Sequence, residues 1–339
     1  MNIPYRTRRA LRRLGITAFI LVMISIVIWL CWVIWLERYV IYSRDGAMLD
    51  LNLSSENLAS ELAVPPEEKE PVAIYINEGS DTVNLNTELT QMSGYYVDRD
   101  ALKAGIDTVR TQITALSTDI PIMLDVKHIN GAFYYSTTVG SATDSEIDIA
   151  AMDKLIADLA LSDRYLIARL PGLRDRNYGL NNVDDGLFLP SGIGLWMDDQ
   201  GCYWLNPSAS GTMNYLMRII NELRALGFDE VVFTDFRFPD SDGYTFSGDR
   251  TEALTTAAEL LVSSCATNSF AVSFTGGSSF PLPEGRSRLY LTGVEAADVT
   301  STAAGIEIES PEIHLVFLAD SNDTRYDTYS VLRPLDTAH

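Results

Sequence analysis

The chain has 339 residues, of which 47% are hydrophobic and 21% charged, a globular composition that excludes wholesale disorder and allows one large domain with attachments or two ordinary ones. The formal net charge is −21, and six arginines with a single acid, Glu37, fall within the first 38 residues, so the remainder carries 19 basic and 45 acidic side chains. A body that acidic repels phosphate backbones, so no nucleic acid is expected among its partners.

The N-terminus comes first. Arg6, Arg8, Arg9, Arg12 and Arg13 form a basic tail over residues 1–14, followed by an uncharged stretch over 15–36. At 1.5 Å rise per residue such a helix spans about the roughly 30 Å hydrocarbon core of a bilayer. A cleaved signal peptide has a shorter apolar region and a small-residue cleavage site, which this run lacks. Trp29, Trp32 and Trp35 near one end suit the membrane interface. The run is therefore expected to be a transmembrane signal anchor. The arginines would stay cytoplasmic and the C-terminal body would lie outside, as in a single-pass type II protein. Residues 37–71 read as a stalk, with Pro65-Pro66 and the charged run from Glu67 to Glu70 and few large apolar side chains.

From residue 72 onward short β-type runs alternate with helical periodicities. The runs fall at 72–76, 94–97, 122–126, 165–168, 231–234, 270–274, 288–291, 305–308 and 313–318. Leu102, Ile106, Val109, Ile113 and Leu116 form one apolar helical stripe. Others run from Met152 to Leu159, from Leu216 to Leu226 with Gly227 as the stop, and from Leu254 to Val262. Strand–helix repetition implies parallel pairing. About eight strands in roughly 250 residues favour an α/β fold, a (β/α)8 barrel of the TIM type. After Phe274 the helical signals weaken, so the second half is expected to be eroded.

In such a barrel the chemistry sits at the C-terminal ends of the strands. Those ends supply Asp98, Asp125 with Lys127, Arg169, Asp235 with Arg237, and Asp320. Carboxylates beside arginines suit sugar hydroxyls and, if two carboxylates face each other, glycosidic acid/base work. Asp125 with Lys127, and Asp235 with Arg237, share a strand face and equally fit plain ion pairs. The long segment after Arg169 carries Trp196, Asp198, Asp199 and Trp204; the tryptophans suit stacking on sugar rings or pinning of the loop. His128 is either an acid/base group or a neutral hydrogen-bonding one. Cys31, Cys202 and Cys265 are too few for a disulfide scaffold, and whether Cys202 and Cys265 pair is open. There is no Cys/His cluster for zinc and no Gly-rich phosphate loop, so neither a metal nor a cofactor is expected.

Five segments in order resemble a glycoside-hydrolase-like family of bacterial barrel domains first catalogued as a domain of unknown function. They are Gly94-Tyr95-Tyr96-Val97; Asp125-Val126-Lys127 with Gly131 and Tyr134; Ile167-Ala168-Arg169 with Arg174-Asp175; Trp204-Leu205-Asn206-Pro207; and Gly227-Phe228-Asp229-Glu230 with Arg237-Phe238-Pro239. The resemblance covers about 94–239. It implies a barrel that hydrolyses glycosidic bonds in a cell-envelope or extracellular polysaccharide. Asp125 and Asp235 would be catalytic, and Lys127, His128, Arg169, Trp196, Trp204 and Arg237 would bind substrate. Three departures bear on catalysis: His128 stands where the family often has an acid, the strand ending at Thr275-Gly276-Gly277 offers no carboxylate, and the strand before Arg237 is shifted. The family strand reads Phe-Asp-Tyr-x-Arg-Phe-Pro, whereas here Thr234 holds the aspartate position and Asp235 follows it. A one-residue shift on a strand turns a side chain to the opposite face unless a bulge restores its aim. The alternative reading is a degenerate barrel that binds glycans or serves as an envelope scaffold.

Overall fold

The computed structural model describes residues 88–338, apart from residues 141, 163 and 277–279, together with Met23, Ser25 and the backbone of two strands near the N-terminus. Of the expected anchor over 15–36 only Met23 and Ser25 are described, both helical; the rest of it, like the run at 72–76, lies outside the described residues. Among the described residues no helix is long and apolar enough to cross a membrane. Two compact units divide the chain, Met1–Asp81 and Thr82–His339. Within the first, β1 (Val40–Ser43) and β2 (Gly46–Leu49) pair as an antiparallel hairpin with Ser43 opposite Gly46.

The second unit is a closed barrel of eight parallel strands. They are β3 (Ser93–Val97), β4 (Ile122–Asp125), β5 (Leu166–Pro171), β6 (Glu230–Thr234), β7 (Ala271–Thr275), β8 (Leu289–Thr292), β9 (Leu315–Leu318) and β10 (Ser330–Pro334). They pair in chain order, and β10 closes on β3 with Val331 opposite Ser93. Each crossover in the first half is helical: α1 (Arg99–Ala104), α2 (Ile106–Ala115), α3 (Ile149–Ala160), α4 (Arg176–Asn181), α5 (Ser210–Ala225) and α6 (Arg250–Cys265). In the second half only α7 (Val299–Ala304) and α8 (Pro311–His314) are described, both short. The expected erosion therefore affects the helical wall while every strand is kept.

Aspartates start the helices. Asp98, Asp148, Asp175 and Asp249 each accept the backbone N–H three residues on, satisfying a donor that the first helical turn leaves unpaired. Gly227, at φ 94°, stops α5 as expected. The single stripe from Leu102 to Leu116 is broken into α1 and α2 by Gly105 at φ 153°, a conformation open to glycine. The run at 305–308 is not a strand: it follows α7 and continues as turn and loop, its Ile306 and Ile308 packing against the lower barrel wall.

The core has two layers. Outward residues such as Leu124, Ala168, Val231 and Phe233 pack against the helices. Met123, Ile167, Val232, Tyr290, Val316 and Leu332 fill the barrel interior. At the N-terminal end of that interior Arg288 and Glu230 form a buried ion pair at 2.6 Å, with Ser273 and Tyr165 donating to the same carboxylate at 2.5 and 2.8 Å.

Candidate active site at the barrel mouth

Side chains alternate across a strand, so two residues beyond Met123, Ile167 and Val232 the same inward face carries Asp125, Arg169 and Thr234. These three form part of the top layer of the barrel. They line a pocket of about 410 Å³ at the C-terminal strand ends, together with Asp98, Arg99, His128 and Tyr134.

Asp125 is held from two sides. Arg169 Nε and Nη2 donate to its two oxygens at 2.5 and 3.0 Å, and the backbone N–H of Arg99 donates to Oδ2 at 3.1 Å. Burial works against the charge of Arg169, but Asp125 beside it outweighs burial and raises the guanidinium above its ordinary range. The Arg169 guanidinium also lies 5.5 Å from the Tyr96 ring centre. Burial, and then Asp320, push the Tyr96 hydroxyl upward, so the exposed Asp320 past β9 belongs to the electrostatic rim of the same mouth.

Thr234 and Asp235 part company at the end of β6. Thr234 faces the mouth, whereas Asp235 takes a left-handed conformation at φ 50°. Asp235 is half-buried, and its charged neighbours are Arg174, Arg237 and Asp198 rather than Asp125. Burial raises its carboxyl above the usual range, partly offset by the two arginines. No bulge returns it to the top layer; it terminates the strand beside a second polar cluster.

That cluster explains the tryptophans. Asp198 accepts from Arg174 Nε at 2.7 Å, from Trp204 Nε1 at 2.9 Å and from the backbone N–H of Cys202 at 2.9 Å. Burial opposes its charge, but these donors hold its carboxyl below the usual range. Trp204 is 3% exposed, with Arg174 and Arg237 guanidinium carbons 5.6 and 5.1 Å from its ring centre. The expectation that Trp204 stacks on a sugar is corrected here: the indole is buried and its face is taken by arginine. Trp196 is half-buried against Tyr244, with the backbone of Gly243 pressed on its indole. Trp204 pins the loop, while Trp196 keeps part of its surface open. Arg237, by contrast, keeps 42% of its side chain exposed.

Lys127, expected to bind substrate, lines the mouth pocket, and its charge is engaged by a neighbouring aspartate. Its Nζ is fully buried and meets Asp175 Oδ2 at 2.6 Å. Asp175 further accepts from the Tyr215 hydroxyl and from Tyr178 N–H, each at 2.8 Å. A Cβ at Gly131 would stand 2.3 Å from Asp175 Oδ1. The Asp-Val-Lys and Gly segments thus form a clasp between the loop after β4 and the start of α4. His128 remains at the mouth, its Nδ1 accepting from Asn130 N–H at 3.3 Å. Cys202 and Cys265 are buried free thiols. Sequence reasoning passed over Arg99 and the site role of Tyr134; Tyr134 stood in the quoted motif, while nothing local marked Arg99.

The signature of the family described as "Putative glycosyl hydrolase domain" matches residues 95–269, from β3 to the end of the loop before β7. The chain belongs to this family. No curated protein sequence matches it. Among solved structures it is similar to a hypothetical protein from Ruminiclostridium thermocellum, with 19% identity and a TM-score of 0.43 over 53% of this chain and 96% of that one. The glycoside hydrolase domain of PelA from Pseudomonas aeruginosa is similar at 12% identity and a TM-score of 0.44, over 74% and 97%. An α-galactosidase from Lactobacillus brevis is similar at 10% identity and a TM-score of 0.49, over 74% of this chain and 39% of that one.

Proposed function

We propose that this glycoside-hydrolase-like barrel acts on a cell-envelope or extracellular polysaccharide by carboxylate chemistry, held to a membrane by its N-terminal apolar run with the barrel outside the cytoplasm. The observation that carries the reading is the polar top layer, where Asp125, Arg169 and His128 line one pocket at the end of the barrel where such folds place their chemistry. Asp125, bound by Arg169, serves as the ionised carboxylate. Asp235, in the neighbouring cluster with Arg174, Arg237 and Asp198, is the candidate proton donor only if substrate reaches both clusters, which the assay below decides. Arg169 orients Asp125, and Arg237 offers an exposed cation in the neighbouring cluster. The basic tail ahead of the apolar run supports the orientation.

A second reading, glycan recognition without cleavage, is favoured by one observation: Thr234, rather than a carboxylate, completes the layer with Asp125. One assay separates the two. The full chain, purified in detergent, is incubated with wall and extracellular polysaccharides, and released reducing ends are measured for wild type, Asp125→Asn and Asp235→Asn. Cleavage reduced about 10²-fold or more by either substitution supports hydrolysis. Binding without cleavage, equal in wild type and both variants, assigns the barrel to recognition.

A further inference from the structure

Tyr134 differs from the other buried tyrosines of the barrel. Tyr135 donates to Glu222, Tyr215 to Asp175 and Tyr165 to Glu230, at 2.8 to 2.9 Å. Tyr134 is just as buried, at 1% exposure, yet its hydroxyl has no hydrogen-bond partner among the described residues. It lines the mouth pocket with Asp125 and Arg169, and it is absent from the sealed polar atoms that lack partners. Its ring is therefore packed while its oxygen opens onto the cavity. A buried hydroxyl left without a partner is unfavourable, so an oxygen aimed into a pocket marks where a ligand or water belongs.

Asp125 supplies the complementary half. An ionised carboxylate offers roughly four acceptor positions. Oδ2 receives Arg169 Nη2 and Arg99 N–H, whereas Oδ1 receives only Arg169 Nε. One acceptor position on Oδ1 remains. Within this pocket Tyr134 thus presents a free donor and Asp125 a free acceptor position. Burial first, and then the charge of Asp125, raise the Tyr134 hydroxyl, so it stays a donor at physiological pH.

We propose that Tyr134 is a substrate-contacting residue that donates to a neutral sugar hydroxyl, which in turn donates to Oδ1 of Asp125. A hydroxyl fits because it accepts and donates at once. A sugar carboxylate placed there does not: it has no proton to give Asp125. The contact therefore selects against a unit that sets its carboxylate between Tyr134 and Asp125. This inference deepens the glycan reading above and rests on it.

The test measures binding of cellohexaose, maltohexaose, chitohexaose and hexagalacturonate to the full chain in detergent by calorimetry, for wild type and Tyr134→Phe. Wild type is expected to bind at least one neutral hexaose. Tyr134→Phe, which keeps the ring, is expected to lose about tenfold or more in affinity while retaining a cooperative melt. Fluorine NMR of 3-fluorotyrosine at position 134 in the otherwise unchanged protein gives a second readout, should the phenylalanine variant fold poorly. Its resonance is expected to shift when the bound hexaose is added. A hexaose that binds wild type and Tyr134→Phe equally, or leaves the fluorine resonance unmoved, overturns the inference and leaves the glycan reading standing. If wild type binds none of the four, both fall.

Discussion

Asp125 and Arg169 occupy paired positions on neighbouring strands and hold each other through two hydrogen bonds. Their side chains are only 16% and 17% exposed, so neither charge can recover its hydration if the other is removed. Arg169→Met should therefore lower stability by about 3 kcal/mol. The double variant Asp125→Asn/Arg169→Met should lose less than the sum of the two single changes, because no unpaired charge remains. Urea unfolding of the four proteins measures this; strict additivity would show that the pair does not matter to the fold.

The Lys127–Asp175 pair predicts a different outcome for a residue that the sequence placed at the site. Lys127→Met should cost about 3–5 kcal/mol by leaving Asp175 charged and buried. Oligosaccharide affinity, measured on the folded variant by calorimetry, should change little, because the buried ammonium is engaged by Asp175. A large affinity loss with unchanged stability would return Lys127 to the binding set.

Glu222 on α5 ties down the loop after β4. Its carboxylate accepts from Tyr135 at 2.9 Å, Thr137 at 2.6 Å, and the Thr138 N–H and hydroxyl at 2.6 and 2.7 Å. Burial opposes the charge, but these donors hold the carboxyl below its ordinary value of 4.5. A lowered folded-state value means the contribution is full above pH 4.5 and is lost as pH falls through the lowered value. Melting temperatures of wild type and Glu222→Gln should differ most at neutral pH and converge in acid. A constant difference across that window would contradict the assignment.

Asp235 has the opposite sign. Its carboxyl is raised by burial, so it binds its proton up to a higher pH than an ordinary aspartate. If it donates that proton to a leaving oxygen, the cleavage rate should fall as pH rises through the raised value, and Asp235→Asn should abolish that limb together with about 10²-fold of the rate. A pH–rate profile of both proteins decides it; an unchanged limb in Asp235→Asn assigns the titration elsewhere.

Much of the barrel was legible because burial on both faces leaves apolar runs at β4 to β9 and periodic stripes between them. β10 was not, because Ser330 and Arg333 interrupt its apolar pattern; Ser330 is explained by the distant Met92, and Arg333 by Asp327 in the turn before the strand. At the site, strand-end positions located Asp125, Arg169 and His128. The fates of Lys127 and Trp204 were hidden because their partners, Asp175 for one and Asp198 with Arg237 for the other, are fixed by loops whose paths no local pattern specifies. The shift between Thr234 and Asp235 was readable as a change of face, and the left-handed turn at Asp235 is its physical form.

The seam between β3 and β10 sets the order in which the protein can mature. Met92 N–H donates to Ser330 Oγ at 3.1 Å, joining residues 238 apart, and β3 has no other partner on that side. Until the last strand is available, β3 and β9 are bare edges offering unpaired backbone groups to any neighbouring chain. Contacts this distant in sequence also slow folding. During synthesis the barrel is therefore most exposed to aggregation just before residues 330–334 arrive, and a chaperone acting on it has that interval to cover.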